Sequence, residues 1–169
     1  MKREKEVLMR IGIISDIHDN LWALQDVLTG LTDCDELLCL GDLCAPFTIL
    51  AIAEGFHGPV HLVWGNNDGD KLAIARQADG AGNVTIYGHF AELERDGRRI
   101  AITHYPDLAR ALAQGGQYDL VCHGHDHTAG VTEVGKTLLV NPGEVMGRYG
   151  SHTFAVYETE PDIARIIEA

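Results

Sequence analysis

Basic residues are scarce in this chain. Thirteen Lys and Arg stand against 25 Asp and Glu in 169 residues, a formal charge of −12 at pH 7. A field of that sign repels polyanions, which argues against docking on long nucleic acid or on an anionic membrane surface. A small phosphorylated ligand is still admissible, provided its site carries its own cations. No apolar run approaches the ~18 residues that a membrane-spanning helix needs. The first residues, Met1 to Glu6, are charged with mixed sign. The apolar stretch from Val7 to Ile14 is broken by Arg10 and is too short for the core of a secretion signal. Cysteine is also sparse: Cys34, Cys39, Cys44 and Cys122 form no C-x-x-C pair and fit neither a zinc ribbon nor a disulfide framework. Reduced thiols in a cytoplasmic protein are the expectation. There is no internal repeat, no low-complexity tract and no Pro/Ser-rich linker. No G-x-S-x-G elbow offers a serine nucleophile.

What is present is ordinary globular composition, 46% apolar and 22% charged. The length suits one domain spanning residues 1–169. The first half alternates short apolar runs with helical spacing. Met9 to Ile14, Glu36 to Leu40 and Pro59 to Val63 read as buried strands. A helix follows the first, with Leu21, Leu24, Leu28 and Leu31 on one face and Asp19 or Asn20 at its start. Pro46 opens a second helix that ends before Gly55, and Asp68 or Asp70 caps a third running through Ala78. The second half is richer in strands: Val84 to Tyr87, Phe90 to Arg95, Arg98 to Thr103 after an Asp96-Gly97 turn, and Tyr118 to His123. Hairpin partners Gly130 to Val134 and Thr137 to Asn141 follow, then Thr153 to Glu158 and Ile163 to Glu168. One further helix starts at Pro106 and reaches about Gln114. This order predicts an α/β fold, a four-layer α/β/β/α sandwich of two mixed β-sheets flanked by helices.

Five segments place Asp, His or Asn where predicted strands end: Asp16-Ile17-His18, Gly41-Asp42, Gly65-Asn66-Asn67-Asp68, Thr103-His104 and His123-Gly124-His125-Asp126-His127. The carboxyl ends of strands form the ligand crevice in α/β sheets, so these side chains converge if the strands are neighbours. In an extended segment, residues i and i+2 face one side, so Asp16 and His18 could grip one ion, as could alternate histidines of the last segment. Each segment alone also reads as a turn, a helix cap or a strand end. His57, His61, His89 and His152 lack such context and read as surface or structural residues. Together, two carboxylates, four imidazoles and an Asn carbonyl form a mixed nitrogen and oxygen set. Such a set suits Mn²⁺, Fe, Ni²⁺ or Zn²⁺ rather than Ca²⁺. It is too large for one tetrahedral ion, and it contains no Cys to suggest a structural zinc.

The order D-x-H, G-D, G-N-x-D, H, G-H-x-H resembles the calcineurin-like metallophosphoesterase superfamily, and most of all its small single-domain bacterial and archaeal phosphodiesterases. Asn141-Pro142-Gly143 is similar to a downstream turn of that branch. The resemblance implies two divalent transition-metal ions, with manganese the first expectation. Asp16, His18 and His127 would hold one ion; Asn66, His104 and His125 would hold the other; Asp42 would bridge them. It implies catalytic roles for Asp42, Asn66 and His104, with Asn20, Asn67 and His123 contacting substrate and Asp68 orienting a neighbour. The implied activity is hydrolysis of small phosphodiesters by a hydroxide held between two ions ~3.5–4 Å apart. The implied partner is a small phosphorylated molecule, and the dimers common among such relatives leave a homodimer open.

The chain departs from the family pattern in three places. Asn67 stands where many relatives have a His able to protonate the leaving group. Tyr105-Pro106 follows His104 in place of Gly-His. No Arg follows Gly41-Asp42, which separates the chain from protein Ser/Thr phosphatases and dinucleoside-tetraphosphate hydrolases of the superfamily. Two other readings stand beside the first: a phosphomonoesterase or nucleotidase using the same ions, and a non-catalytic scaffold of the same fold, as in the retromer subunit that resembles this family.

Overall fold

The computed structural model describes residues 9–169, so the charged start of the chain lies outside the described residues. Among these residues the order is β1(Arg10–Ile14), α1(Leu21–Gly30), β2(Glu36–Cys39), α2(Pro46–Gly55), β3(Val60–Leu62), α3(Lys71–Ala81) and β4(Val84–Ile86). Then come β5(Phe90–Arg95), β6(Arg98–Thr103), α4(Pro106–Gln114), β7(Leu120–Cys122), β8(Gly130–Val134), β9(Thr137–Asn141), β10(Thr153–Glu158) and β11(Ile163–Glu168). One sheet runs β11-β10-β1-β2-β3-β4 and the other β5-β6-β7-β9-β8. Strands β1 to β4 are mutually parallel, as are β6, β7 and β9, whereas β10, β11, β5 and β8 pair antiparallel. Both sheets are therefore mixed, as expected.

Alternation along β1 explains the layering. Ile11 and Ile13 face the second sheet and pack with Leu38, Val63, Ile100, Ile102, Leu120 and Tyr157. Ile14, one pleat over, faces the helices and packs with Leu24, Val27, Ile49, Ile52 and Ile74. A strand buried on both faces has no room for the apolar-polar alternation of a half-exposed one, and the continuous apolar run follows. Helix α4 covers the far side of the second sheet through Ala109 and Ala113, against Ala101, Val121 and Tyr118. The four layers are thus three helices, sheet, sheet and one helix.

Element ends differ from the sequence reading in an informative way. Strands β2, β3 and β7 stop at Cys39, Leu62 and Cys122, earlier than the apolar runs suggest. The next residues, Leu40, Val63 and His123, each give one more N–H to the neighbouring strand, to Ile14, Cys39 and Val140, before the loops begin. Helix α2 continues through Gly55, and α3 passes Ala78 to Ala81, where Gly82 takes a left-handed φ of 81° and donates its N–H to the Ala78 carbonyl. Asn20 caps α1, its side chain accepting from the Ala23 N–H, and Asp70, not Asp68, caps α3.

At the opposite end of β2 and β3 a polar cluster ties the two sheets together. The Arg95 guanidinium donates to Glu36 at 2.7 and 2.9 Å, His61 Nε2 lies 3.0 Å from Glu36, and His61 Nδ1 lies 2.9 Å from the Tyr87 hydroxyl. Burial, the largest cause, holds the His61 pKa below its usual 6.5 even though Glu36 pulls it upward. The folded chain therefore resists protonation that the unfolded chain accepts. His61's contribution to stability is present above pH 6.5 and is lost as pH falls through its depressed value. We expect the melting temperature to drop from pH 7 to pH 5, and to drop less in His61→Gln. Equal drops in the two proteins would refute the assignment.

Candidate metal centre

Every sequence motif of interest leaves the carboxyl end of a parallel strand. Asp16 follows β1, Asp42 follows β2, Asn66 follows β3, His104 follows β6, and His123 to His127 follow β7. The loops are stitched by main-chain bonds: Asp16 N–H to the Gly41 carbonyl, Ile17 and His18 N–H to the Asp42 carbonyl, and Gly124 N–H to the His104 carbonyl, all 3.0–3.1 Å. Ile17 is fully buried and anchors its loop in the core. Glycine permits the closest approaches. A Cβ at Gly65 would overlap the Asp42 carboxylate, and one at Gly124 would stand 2.6 Å from the Asp16 carboxylate.

The loops are not extended, which corrects the simple i, i+2 picture. Asp16, His18, Asp42, His125 and His127 all have left-handed φ, at 55°, 45°, 56°, 75° and 58°. Each such non-glycine residue costs on the order of 1–3 kcal/mol and persists only where its surroundings fix it. Asp68 is one such fixture. Its buried carboxylate accepts from the N–H groups of Asp42, Leu43, Cys44 and Gly65 at 2.7–3.2 Å, locking the second loop against the third.

Two groups of side chains result. Asp16 Oδ1 lies 3.2 Å from His127 Nε2 and 3.7 Å from His18 Nε2. Asn66 Oδ1 lies 3.0 Å from His104 Nε2 and 2.8 Å from His125 Nδ1. Between them sits Asp42, its Oδ2 3.5 Å from both His18 Nε2 and His104 Nε2. Asn67 fixes Asp42 with its backbone N–H on Oδ1 at 2.7 Å and its side-chain amide on Oδ2 at 2.8 Å. The G-H-x-H segment is split: His125 joins one group, His127 the other, and His123 joins neither.

The atoms fit a cation. His127 Nδ1 lies 2.6 Å from buried Glu144, and His104 Nδ1 lies 2.7 Å from the Leu40 carbonyl. Both partners only accept, so both Nδ1 atoms carry the proton, and in the neutral ring each Nε2 presents a lone pair. Those lone pairs face the oxygens of Asp16, Asn66 and Asp42. Acceptor against acceptor at such distances calls for a positive charge between them. Asp16 Oδ1 and His18 Nε2 are buried atoms with no hydrogen-bond partner among the described residues. Ligand atoms of Asp16, His18 and His127 all lie within 4.8 Å of one another, as do those of Asp16, Asp42 and His104.

The electrostatics of the metal-free chain point the same way. Asp16, with Asp42, raises the His18 pKa above its usual value despite opposition from burial. Burial alone would lower His104, but Asp42, Asp16 and the Leu40 carbonyl together outweigh it and the net shift is upward. Burial pushes Asp42 up, yet the His104 imidazole 3.5 Å away and both Asn67 donors hold it well below the usual carboxylate range. The site is built to keep Asp42 ionised and to collect positive charge.

The remaining expected residues take different places. Asn20 accepts from Ala23 and donates to the Met146 carbonyl at 3.0 Å, so its side chain joins α1 to a distant loop. Asn67 points into Asp42. His123 is buried, with Nδ1 3.0 Å from its own Gly124 carbonyl, and burial lowers its pKa. One neighbour of the ligands escaped the sequence reading: Glu144, which follows directly on the Asn141-Pro142-Gly143 turn and meets His127. Cys44, two residues beyond Asp42, has its Sγ 3.5 Å from His18 Nδ1. The position of Glu144 after that turn was the one available signal; a single carboxylate among many carries none.

Two stacked mixed sheets between helices, with this donor set at the carboxyl ends of the strands, define a metal-dependent phosphoester hydrolase. The chain belongs to the calcineurin-like phosphoesterase superfamily, whose domain profile matches residues 9–162. It is similar to a phosphodiesterase, MJ0936, of Methanocaldococcus jannaschii, with 29% identity over 157 residues, 90% of this chain and 94% of that protein. A solved archaeal phosphodiesterase shares the fold with a TM-score of 0.88 and 28% identity, covering 95% of this chain and all of that one. YfcE, a phosphoesterase from E. coli, and vacuolar protein sorting 29 of Cryptosporidium parvum superpose with TM-scores of 0.69 and 0.68 at 19% and 15% identity. They cover 94% and 96% of this chain and 98% and 97% of their own. At those identities they show the fold alone.

Asp68→Asn removes acceptor capacity from a carboxylate serving four N–H groups. We expect Mn²⁺ affinity to fall by about 10–100-fold with the fold retained, as titration and circular dichroism would measure. Unchanged affinity would contradict the locking role.

Proposed function

We propose that this protein hydrolyses small phosphodiesters at a centre of two divalent cations. Asp16, His18 and His127 would hold one ion, and Asn66, His104 and His125 the other, with Asp42 shared. The observation that carries this reading is the position of Asp42 Oδ2, 3.5 Å from an imidazole of each group. When bound, such a pair of ions supplies Lewis acidity that lowers the pKa of coordinated water and neutralises phosphoryl charge. Imidazole with carboxylate and amide oxygen suits Mn²⁺ first, with Ni²⁺, Fe or Zn²⁺ as alternatives. Four free cysteines support a reducing, cytoplasmic setting.

The chain's own residues position and bind. Asn67 and Asp68 hold Asp42 and its loop, Glu144 keeps the His127 proton on Nδ1, and the Leu40 carbonyl does the same for His104. None of them is placed to protonate a departing alkoxide. Asn67 has no acidic proton, and the lowered pKa of buried His123 keeps it neutral at pH 7. Diesters whose leaving group departs as a stable anion, aryl esters above all, should turn over fastest. Similarity to MJ0936 and to a solved archaeal phosphodiesterase supports the diester assignment over the monoester one. The complete donor set favours an enzyme over a scaffold.

Chelator-treated protein should be inactive toward bis-p-nitrophenyl phosphate and regain turnover with Mn²⁺. Asp42→Asn should lower that turnover by about a hundredfold or more. Near-wild-type activity in Asp42→Asn, or faster turnover of p-nitrophenyl phosphate than of the diester, would overturn this reading.

A further inference from the structure

The loop from Val145 to Ser151 is seated on the metal centre more firmly than its surface position requires. Its base is bonded to the first candidate loop, Val145 N–H to the Ser15 carbonyl at 3.1 Å and Met146 N–H to the Asp16 carbonyl at 3.0 Å. Asn20 donates to the Met146 carbonyl at 3.0 Å. Further along, Glu144 uses one carboxylate oxygen for His127 and the other for the Tyr149 N–H, each at 2.6 Å. One buried carboxylate thereby fixes both a candidate ligand and the backbone of Tyr149. The Tyr149 ring stands edge-on to His127, centroids 5.6 Å apart, yet is 71% exposed. The residue is thus held in place at its backbone while most of its surface stays exposed. A notch of about 150 Å³ beside it is lined by His127, Ala129, Glu144, Tyr149, Ser151 and Thr153. On the other side of the centre, Tyr105 stands 5.8 Å from His125 and 5.3 Å from His104.

An exposed aromatic ring on a firmly bonded loop, next to a reaction centre, is a stacking surface. Alkyl substituents gain little from a π-face, whereas every nucleobase can stack on one. The Arg148 guanidinium lies 5.4 Å from the Tyr149 centroid and makes no ion pair among the described residues, so it adds positive charge beside that face without a carboxylate to neutralise it. We propose that Tyr149, positioned by Glu144, forms a wall that selects phosphodiesters carrying a nucleoside, with the base stacked on the ring and the phosphorus between the two imidazole groups. This rests on the diesterase reading and narrows its substrate class.

The test keeps the leaving group constant and varies the other ester. On Mn²⁺-loaded protein, kcat/KM is compared for thymidine 5′-p-nitrophenyl phosphate and methyl p-nitrophenyl phosphate. Wild type should favour the thymidyl ester by about tenfold or more, Tyr149→Phe should keep that ratio, and Tyr149→Leu should bring it close to one. Glu144→Gln should lower the ratio as well, and should weaken Mn²⁺ binding by about 10–100-fold in a direct titration, a readout independent of turnover. A ratio near one in wild type, or the same ratio in wild type and Tyr149→Leu, overturns the wall while leaving diester hydrolysis standing. If neither ester is hydrolysed, the diesterase reading falls. The wall is then judged by binding of thymidine 5′-monophosphate against methyl phosphate to the Mn²⁺-loaded protein, where equal affinities in wild type overturn it and a preference lost in Tyr149→Leu supports it.

Discussion

Two carboxylates, Asp16 and Asp42, are buried within reach of the same imidazoles at the seam between the sheets. An ionised carboxylate removed from water costs several kcal/mol unless matched by charge and hydrogen bonds. Donors from Asn67 and from the His125 N–H provide part of the match. The Asp16 oxygen left without a partner calls for a cation. The shape of the surrounding loops follows from that requirement: they bring lone pairs together that would otherwise repel.

Holding such an arrangement requires more than packing. Left-handed backbone at five candidate ligands is stable only inside a framework that leaves it no alternative. Here the framework is polar. Asp68 gathers the N–H groups of two loops, and the main chain of the first loop is bonded to that of the second. Glu144 reaches from the far loop to His127. Beneath them, Ile17 and the buried apolar residues of the strands supply rigidity. The loops carry the chemistry, and the sheets fix where the loops begin.

The same scaffold is found in proteins with little sequence in common with this one, vacuolar protein sorting 29 among them. Fold therefore says little about activity; hydrolysis follows from the family to which the chain belongs, with a donor set that suits it. At the rim of this scaffold stand Asn67 directed at Asp42, Tyr105 ahead of α4, and the Glu144-Tyr149 pairing. Asn67 and Glu144 orient candidate ligands, whereas Tyr105 and Tyr149 set aromatic rings beside them.

Much of the architecture was legible in the sequence because it is local. The β8–β9 hairpin across Gly135-Lys136, the β5–β6 turn at Asp96-Gly97 and the Pro starts of α2 and α4 follow from dihedral preferences of a few residues. So did the residues to watch, since Asp, His and Asn at the ends of apolar runs have few structural uses in such number. Beyond reach were facts that depend on residues far apart in the chain. His125 and His127 part company because each meets a partner beyond a different strand of the first sheet, Asn66 after β3 or Asp16 after β1. Asp68 became a loop lock rather than a helix cap because four N–H groups happened to face it. Glu144 acquired its role only when the chain folded back onto His127. Local propensity is written residue by residue, whereas the charge that a carboxylate must meet is set by whatever the tertiary fold brings within a few ångströms of it.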